Sequence, residues 1–203
     1  MLPTHSLAAM VERARELGAV IASDECYAEL TWHSDDPTPS ILDPRVIGGD
    51  RRSVLAVYSL SKQSNLAGYR AGFVAGCSEL VAEILAVRKH VGLIPPAPVQ
   101  AAMVAALGDH EHVAAQRELY RARRARLLPA LEAAGFTIDS SEAGLYLWAT
   151  RGDEAWATVA SLAERGILVA PGLFYGESGS RHVRVALTAT DADIDSAVDR
   201  LTA

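Results

Sequence analysis

Ser53-Val54-Leu55-Ala56-Val57-Tyr58-Ser59-Leu60-Ser61-Lys62 is the stretch on which the fold reading turns. Ser53 to Tyr58 is a short apolar, β-branched run of the kind that forms a buried strand, and it delivers Ser59-Leu60-Ser61-Lys62 at its carboxy end. In an open α/β sheet that end is where reactive groups collect. Upstream, Ala19 to Ala22 reads as another short strand, ending on Ser23, Asp24 and Glu25. Downstream, Tyr69 to Gly76 reads as a third strand around Gly72-Phe73-Val74-Ala75-Gly76, so Gln63 to Gly68 must turn.

Helical patterns flank these strands. Leu7, Met10, Val11, Ala14 and Leu17 recur at three- and four-residue spacing before Gly18, which gives an amino-terminal helix. The stretch from Asp35 to Asp50, rich in Pro, Asp and Gly, reads as an irregular loop. Residues 78 to 92 are helical with Leu80, Ile84, Leu85 and Val87 on the apolar side, and Pro95, Pro96 and Pro98 break that helix. Val99 to Leu107 is helical again, and an Ala- and Arg-rich helix follows from about His110 to Ala134. The remainder alternates strands (Leu145 to Trp148, Ile167 to Ala170, Val183 to Leu187) with helices near 153 to 165 and 191 to 202, a small α+β unit. The expected domains are therefore 1–107 and 108–203.

Composition narrows the function classes. A chain of 203 residues that is 50% hydrophobic can bury a substantial core. Its net charge of −6 argues against nucleic acid as a partner, and the cluster Arg117, Arg121, Arg123, Arg124 and Arg126 reads as a solvated helix face. Cys26 and Cys77 lie in apolar runs, which favours a reducing compartment. No stretch has the length of a membrane span, and the amino terminus has no signal-peptide pattern. The expectation is a cytoplasmic protein with no membrane partner and no metal.

Lys62 alone also fits a surface lysine. Asp24 and Tyr27 change that reading, because a pyridine cofactor bound through a lysine needs a carboxylate at its ring nitrogen, and a nearby phenol can tune it. The local alternatives for these two are an N-cap aspartate and a half-buried tyrosine.

The blocks Ser23-Asp24-Glu25-Cys26-Tyr27, Tyr58-Ser59-Leu60-Ser61-Lys62 and Gly68-Tyr69-Arg70-Ala71-Gly72-Phe73, in this order and spacing, resemble the class I and II aminotransferases of fold type I. The likeness implies pyridoxal 5′-phosphate as cofactor. It makes Lys62 the covalent attachment point, Asp24 the partner of the ring nitrogen and Tyr27 that of the ring oxygen. Ser59 and Arg70 would hold the phosphate, with Ser61 assisting. Further on, Ser141 to Trp148 is similar to the family's glycine-containing small-domain strand, and Val169 to Gly176 to its substrate-facing loop. His182-Val183-Arg184-Val185-Ala186-Leu187 is similar to the strand whose arginine grips the substrate α-carboxylate, which gives Arg184, with Arg181 as the neighbouring alternative. A planar guanidinium suits that task because it binds a carboxylate through two parallel hydrogen bonds.

The implied fold is α/β, the carboxy-terminal part of a fold type I large domain followed by an α+β small domain. Arg88-Lys89-His90-Val91-Gly92-Leu93 and Pro96-Ala97-Pro98-Val99-Gln100 bring the likeness nearest to succinyldiaminopimelate aminotransferases of actinobacterial type. Amino-acid and 2-oxo acid substrates follow, with glutamate as donor, the succinylated amino-oxopimelate of lysine biosynthesis as acceptor, and a homodimer as the assembly. Other fold type I enzymes (an aspartate or aromatic aminotransferase, a carbon–sulfur lyase) and a catalytically incomplete fragment stay open. The amino-terminal stretch of the family is expected to be absent, and with it much of the sheet, so weak cofactor binding and poor turnover are expected of these residues alone.

Overall fold

The computed structural model describes residues 2–32 and 38–202. Two compact units divide the chain, Met1–Gln116 and Arg117–Ala203. The division falls inside a helix, nine residues beyond the expected boundary at 107.

In the first unit, helix α1 (Thr4–Glu16) precedes β1 (Ile21–Asp24), the one-turn helix α2 (Pro44–Ile47) and β2 (Val54–Ser59). A single helical turn, α3 (Leu60–Gln63), follows β2 directly. A 3₁₀ turn at Ala67–Tyr69 then leads into β3 (Gly72–Gly76), α4 (Ser78–His90) and α5 (Ala97–Leu107). The sheet order is β1-β2-β3, with β1 parallel and β3 antiparallel to β2.

The core of this unit is set by a few apolar positions. Leu7 and Val11, four residues apart on α1, pack with Ile41, Val46, Ile47, Val54 and Ala56. At roughly 25 cal/mol per Å² of apolar surface, each such aliphatic side chain contributes about 2 kcal/mol. Met10 and Leu17, expected on the same face of α1, are instead 47% and 63% exposed. Only the i, i+4 pair of that stripe meets the sheet.

The strands of this sheet begin later than the pattern suggests, β1 by two residues, β2 by one and β3 by three, while β3 ends at Gly76 as expected. β1 runs to Asp24, because Glu25 N still donates to Val57 O at 2.8 Å and carries the parallel ladder one residue further. The expected start of the third strand, Tyr69 to Ala71, is the 3₁₀ turn and its exit, where Arg70 takes a left-handed conformation (φ 51°). The expected loop Asp35 to Asp50 contains α2. Its N-cap Asp43 accepts from Arg45 N, and Gly48 ends it in the left-handed conformation. Asp35 to Pro37 lie outside the described residues. Pro98 does not end a helix but sits in the first turn of α5, where its missing N–H costs nothing. Neither α4 nor α5 buries a side chain among the described residues, so Leu85 and Val87 are exposed.

Helix α6 (Glu111–Ala133) leads into the second unit, which holds β4 (Thr137–Asp139), β5 (Tyr146–Thr150), α7 (Ala155–Glu164), β6 (Ala170–Pro171), β7 (Val183–Ala186) and α8 (Asp191–Thr202). Its antiparallel sheet has the order β4-β5-β7-β6. Leu147, Ala149, Val183 and Val185 alternate onto the buried face. Leu127, Leu131, Leu162, Ile194 and Leu201 are among the buried positions of α6, α7 and α8. The strand expected at Ile167 to Ala170 shrinks to Ala170–Pro171. Ile167 N bonds back to Leu162 O, and left-handed Gly166 closes α7, so the first of those residues belong to the helix exit.

The arginine cluster corrects another expectation. Arg123, with only 12% of its side chain exposed, pairs with Asp191 at 2.7 Å and donates to Leu187 O. Arg126 pairs with Asp191 and Asp195, and Arg124 donates to Ser141 Oγ and O. These side chains tie α6 to the start of α8 and to the segment before β5, so they form a bonded seam and not a solvated face.

Candidate active site

The parallel pairing of β1 with β2 aligns Asp24 with Val57 and ends both strands on the same side. Asp24 is exposed at the strand terminus, where its Oδ1 accepts from Cys26 N at 3.2 Å and turns the chain. This is an Asx turn and not the helix N-cap that the local alternative offered. Glu25 is occupied structurally, its carboxylate accepting from Ile41 N at 2.6 Å. Tyr27 follows, half-buried.

Lys62 lies in α3, half-buried, with its Nζ 5.7 Å from the centroid of the Tyr27 ring. The Cys26 thiol feels both neighbours. Burial pushes it up to about 11, Asp24 adds to the rise through a hydrogen bond and its charge, and Lys62 pulls in the opposite direction. Asp24, Tyr27 and Lys62 therefore share one neighbourhood, with the Cys26 thiol within electrostatic reach of both Asp24 and Lys62.

Ser59 is the N-cap of α3. Its Oγ accepts from Ser61 N at 3.2 Å and donates to Ser61 Oγ at 2.9 Å. Both hydroxyls, with Arg70 and Gly72, wall a cavity of about 290 Å³. Arg70 donates to Ala67 O at 3.0 Å and has no carboxylate partner among the described residues. Its left-handed backbone costs roughly 1 kcal/mol for a residue with a Cβ. Arg88 of α4, which the sequence reading had not taken as a binding residue, lines the same cavity. It is anchored by Nε and Nη2 on Leu93 O, and no local motif would have revealed its convergence on Arg70. Tyr58 and Phe73 also line the cavity; Tyr58 donates to Gln63 Oε1 and stacks on Phe73 at 5.3 Å, and its burial pushes the phenol up to about 12.

In the second unit, Arg184 is the second residue of β7 and faces Trp148 on one side and Ala170 on the other. Its Cζ lies 4.2 Å from the Tyr146 ring centroid and 5.3 Å from that of Tyr175. Its Nε is buried with no hydrogen-bond partner. Arg181, the alternative, is exposed and its guanidinium reaches Gly152 O at 3.4 Å. Sequence reasoning missed the aromatic surroundings of Arg184, because Tyr146 and Tyr175 come from a strand and a loop 29 residues apart.

The donor set fits a phosphorylated pyridine aldehyde. It offers an amine, a carboxylate, a phenol, and a cavity lined by two hydroxyls and two guanidinium groups.

The family model for aminotransferase class I and II matches residues 1–201, and the chain belongs to that family, whose members depend on pyridoxal phosphate. It is 60% identical over 202 residues to a probable aminotransferase from Mycobacterium tuberculosis, covering 100% of this chain and 48% of that one. It is 54% identical over 202 residues to the 4-dedimethylamino-4-oxo-anhydrotetracycline transaminase OxyQ of Streptomyces rimosus, covering 100% and 56%. A probable N-succinyldiaminopimelate aminotransferase from Thermus thermophilus superposes with a TM-score of 0.86 at 28% identity, covering 100% of this chain and 54% of that structure. The chain thus spans about half the length of the relatives it matches. No helix among the described residues is long and apolar enough to cross a membrane.

Proposed function

We propose that this member of the class I and II aminotransferase family holds pyridoxal 5′-phosphate through Lys62 and exchanges amino groups between amino acids and 2-oxo or aldehyde acceptors. The observation that carries the reading is the placement of the Lys62 amine 5.7 Å from the Tyr27 ring, with Asp24 acting on the Cys26 thiol that Lys62 also reaches. The cofactor, when bound, supplies an electron-accepting ring and a carbonyl carbon that takes an amine.

The chain's own residues would do the rest. The Asp24 carboxylate keeps a proton on the ring nitrogen, and the Tyr27 hydroxyl donates to the ring oxygen. Ser59, Ser61 and Arg70 bind the phosphate by charge-assisted hydrogen bonds. With the cofactor held by these residues, the Lys62 amine would accept the proton from substrate Cα as a general base and, as the ammonium, would return a proton to a carbon of the bound substrate as a general acid. Arg184 would bind a substrate α-carboxylate through two parallel hydrogen bonds, which restrict the orientation of the carboxylate plane.

Glutamate is the proposed donor and N-succinyl-2-amino-6-oxopimelate the proposed acceptor, supported by the sequence blocks at 88–100 and the likeness to the probable N-succinyldiaminopimelate aminotransferase of Thermus thermophilus. The OxyQ relative supports a second reading of the acceptor as a larger cyclic ketone, because it matches at 54% identity. A homodimer remains the proposed assembly.

A single-turnover experiment tests the donor half. Chain loaded with pyridoxal phosphate and given excess glutamate should yield up to one equivalent of 2-oxoglutarate per bound cofactor, and Lys62→Ala should yield none. Equal yields from the two proteins would overturn the assignment of Lys62. The two acceptors would then be separated by which one regenerates the starting absorbance.

A further inference from the structure

The second unit contains an aromatic assembly around Arg184 that the proposed reaction has not used. The segment Gly172 to Gly179 crosses itself above the Trp148 indole. Gly172 N donates to His182 O at 2.7 Å, and His182 N donates to Gly179 O at 3.0 Å. A Cβ on Gly172 would stand 2.4 Å from Gly179 O, 2.7 Å from His182 O and 2.8 Å from Trp148 Cη2. One on Gly179 would stand 2.2 Å from Gly172 O. The crossing is closed to any side chain, and its floor is Trp148.

Trp148 is itself held. The His182 ring stacks on it at 5.2 Å and 10°, and His182 Nε2 lies 2.9 Å from Asp139 Oδ2 on the neighbouring strand β4. Against the indole edge stands the ring of Tyr175, at 5.6 Å and 82°. Tyr175 is 55% exposed, so its position follows from the crossing and from Trp148 and owes little to burial. It meets the Arg184 guanidinium, with Tyr146 nearer at 4.2 Å. Arg184 has no carboxylate partner among the described residues, and its Nε has no acceptor. A guanidinium touched by ring faces keeps its hydrogen-bonding edge available for a planar anion, while the rings restrict its rotation.

We propose that Tyr175 is a positioning residue for carboxylate recognition. Its ring, set by Trp148 and the Gly172–Gly179 crossing, fixes the plane in which Arg184 presents its donors, and so contributes to selection of a planar α-carboxylate. This deepens the proposed function and rests on the reading of Arg184 as the carboxylate-binding residue. The aromatic ring is the operative part and the phenol hydroxyl is not, which makes the claim separable from a structural role.

The test uses the full 203-residue chain, with glutarate as a dicarboxylate probe that needs no cofactor. The Arg184 Nε–H resonance is identified by its loss in Arg184→Lys and followed through a glutarate titration. Tyr175→Phe should leave the resonance of the free chain in place and glutarate affinity within about twofold of wild type. Tyr175→Leu should move the resonance, through loss of the ring current, and weaken glutarate about fivefold, the size expected for one partly exposed cation–π contact. The thermal midpoints of both variants should match wild type. An unmoved resonance and unchanged affinity in Tyr175→Leu, with Arg184→Lys still abolishing binding, would overturn the role of Tyr175 and leave that of Arg184 intact. Undiminished glutarate binding in Arg184→Lys, or no saturable binding by the wild-type chain, would overturn the reading of Arg184 and the proposal with it.

Discussion

Replacing Gly172 with alanine adds a single methyl group at the most crowded point of the second unit. The new carbon would meet two backbone carbonyls at 2.4 and 2.7 Å and the Trp148 ring at 2.8 Å, all well inside van der Waals contact. Neither carbonyl can move freely, because His182 O accepts from Gly172 N at 2.7 Å and Gly179 O accepts from His182 N at 3.0 Å. Opening the crossing would sacrifice these two bonds at about 1 kcal/mol each. The strain left in Trp148 and its neighbours adds about 1 kcal/mol, toward the low end of overpacking costs. The expected loss is therefore about 3 kcal/mol. Gly152→Ala is the comparison, since Gly152 has φ +87° but nothing within 4 Å, and strain alone costs about 1–2 kcal/mol there. Urea unfolding of both variants, followed by tryptophan fluorescence, gives the two differences directly. A Gly172→Ala chain within 0.5 kcal/mol of wild type, or less destabilised than Gly152→Ala, would refute the close crossing and with it the fixed placement of Tyr175.

Other expectations follow from separate parts of the molecule. Leu147→Ala empties a fully buried position at the centre of the β4-β5-β7-β6 sheet and should cost about 3 kcal/mol in the same urea assay. Cys26, pushed from 9.0 up to about 11, should react with iodoacetamide slowly at pH 8, its rate rising to a midpoint near pH 11. A midpoint near 9 would contradict its burial beside Asp24. The same shift means that the native state holds this proton more tightly than the unfolded chain, so its contribution to stability is complete below pH 9 and is lost between 9 and about 11. Asp191 has the opposite sign. Arg123 holds its carboxyl below the ordinary 3.8, so the pair's contribution is present above that value and is lost as pH falls through the depressed one. Arg123→Ala should accordingly flatten the acid limb of the stability profile.

The sequence made legible those features that depend on short-range pattern. The β2 run and the Asp24 and Lys62 positions at strand ends could be read because apolar runs and their polar termini are local. What escaped was decided by tertiary partners. β4 has one apolar residue, Ile138, and exists because Thr137 to Asp139 pair with β5. Met10 and Leu17 match the helical period of α1 and its C-cap, yet both stay exposed among the described residues. The arginines of α6 looked solvated because Asp191 and Asp195, which pair with Arg123 and Arg126, are more than 60 residues away. In the site, local blocks supplied each residue named on β1, β2, α3 and β7. The convergence of Arg88 on the Ser59–Arg70 cavity and of Tyr146 and Tyr175 on Arg184 needed the folded backbone.

The central claim is that Lys62 is the amine that captures the cofactor. Borohydride reduction of the chain after incubation with pyridoxal phosphate, followed by peptide mapping, traps even a weak complex covalently. The account predicts a pyridoxyl group on Lys62 at substoichiometric cofactor, with little on Lys89. Equal labelling of Lys89 and Lys62 would contradict it.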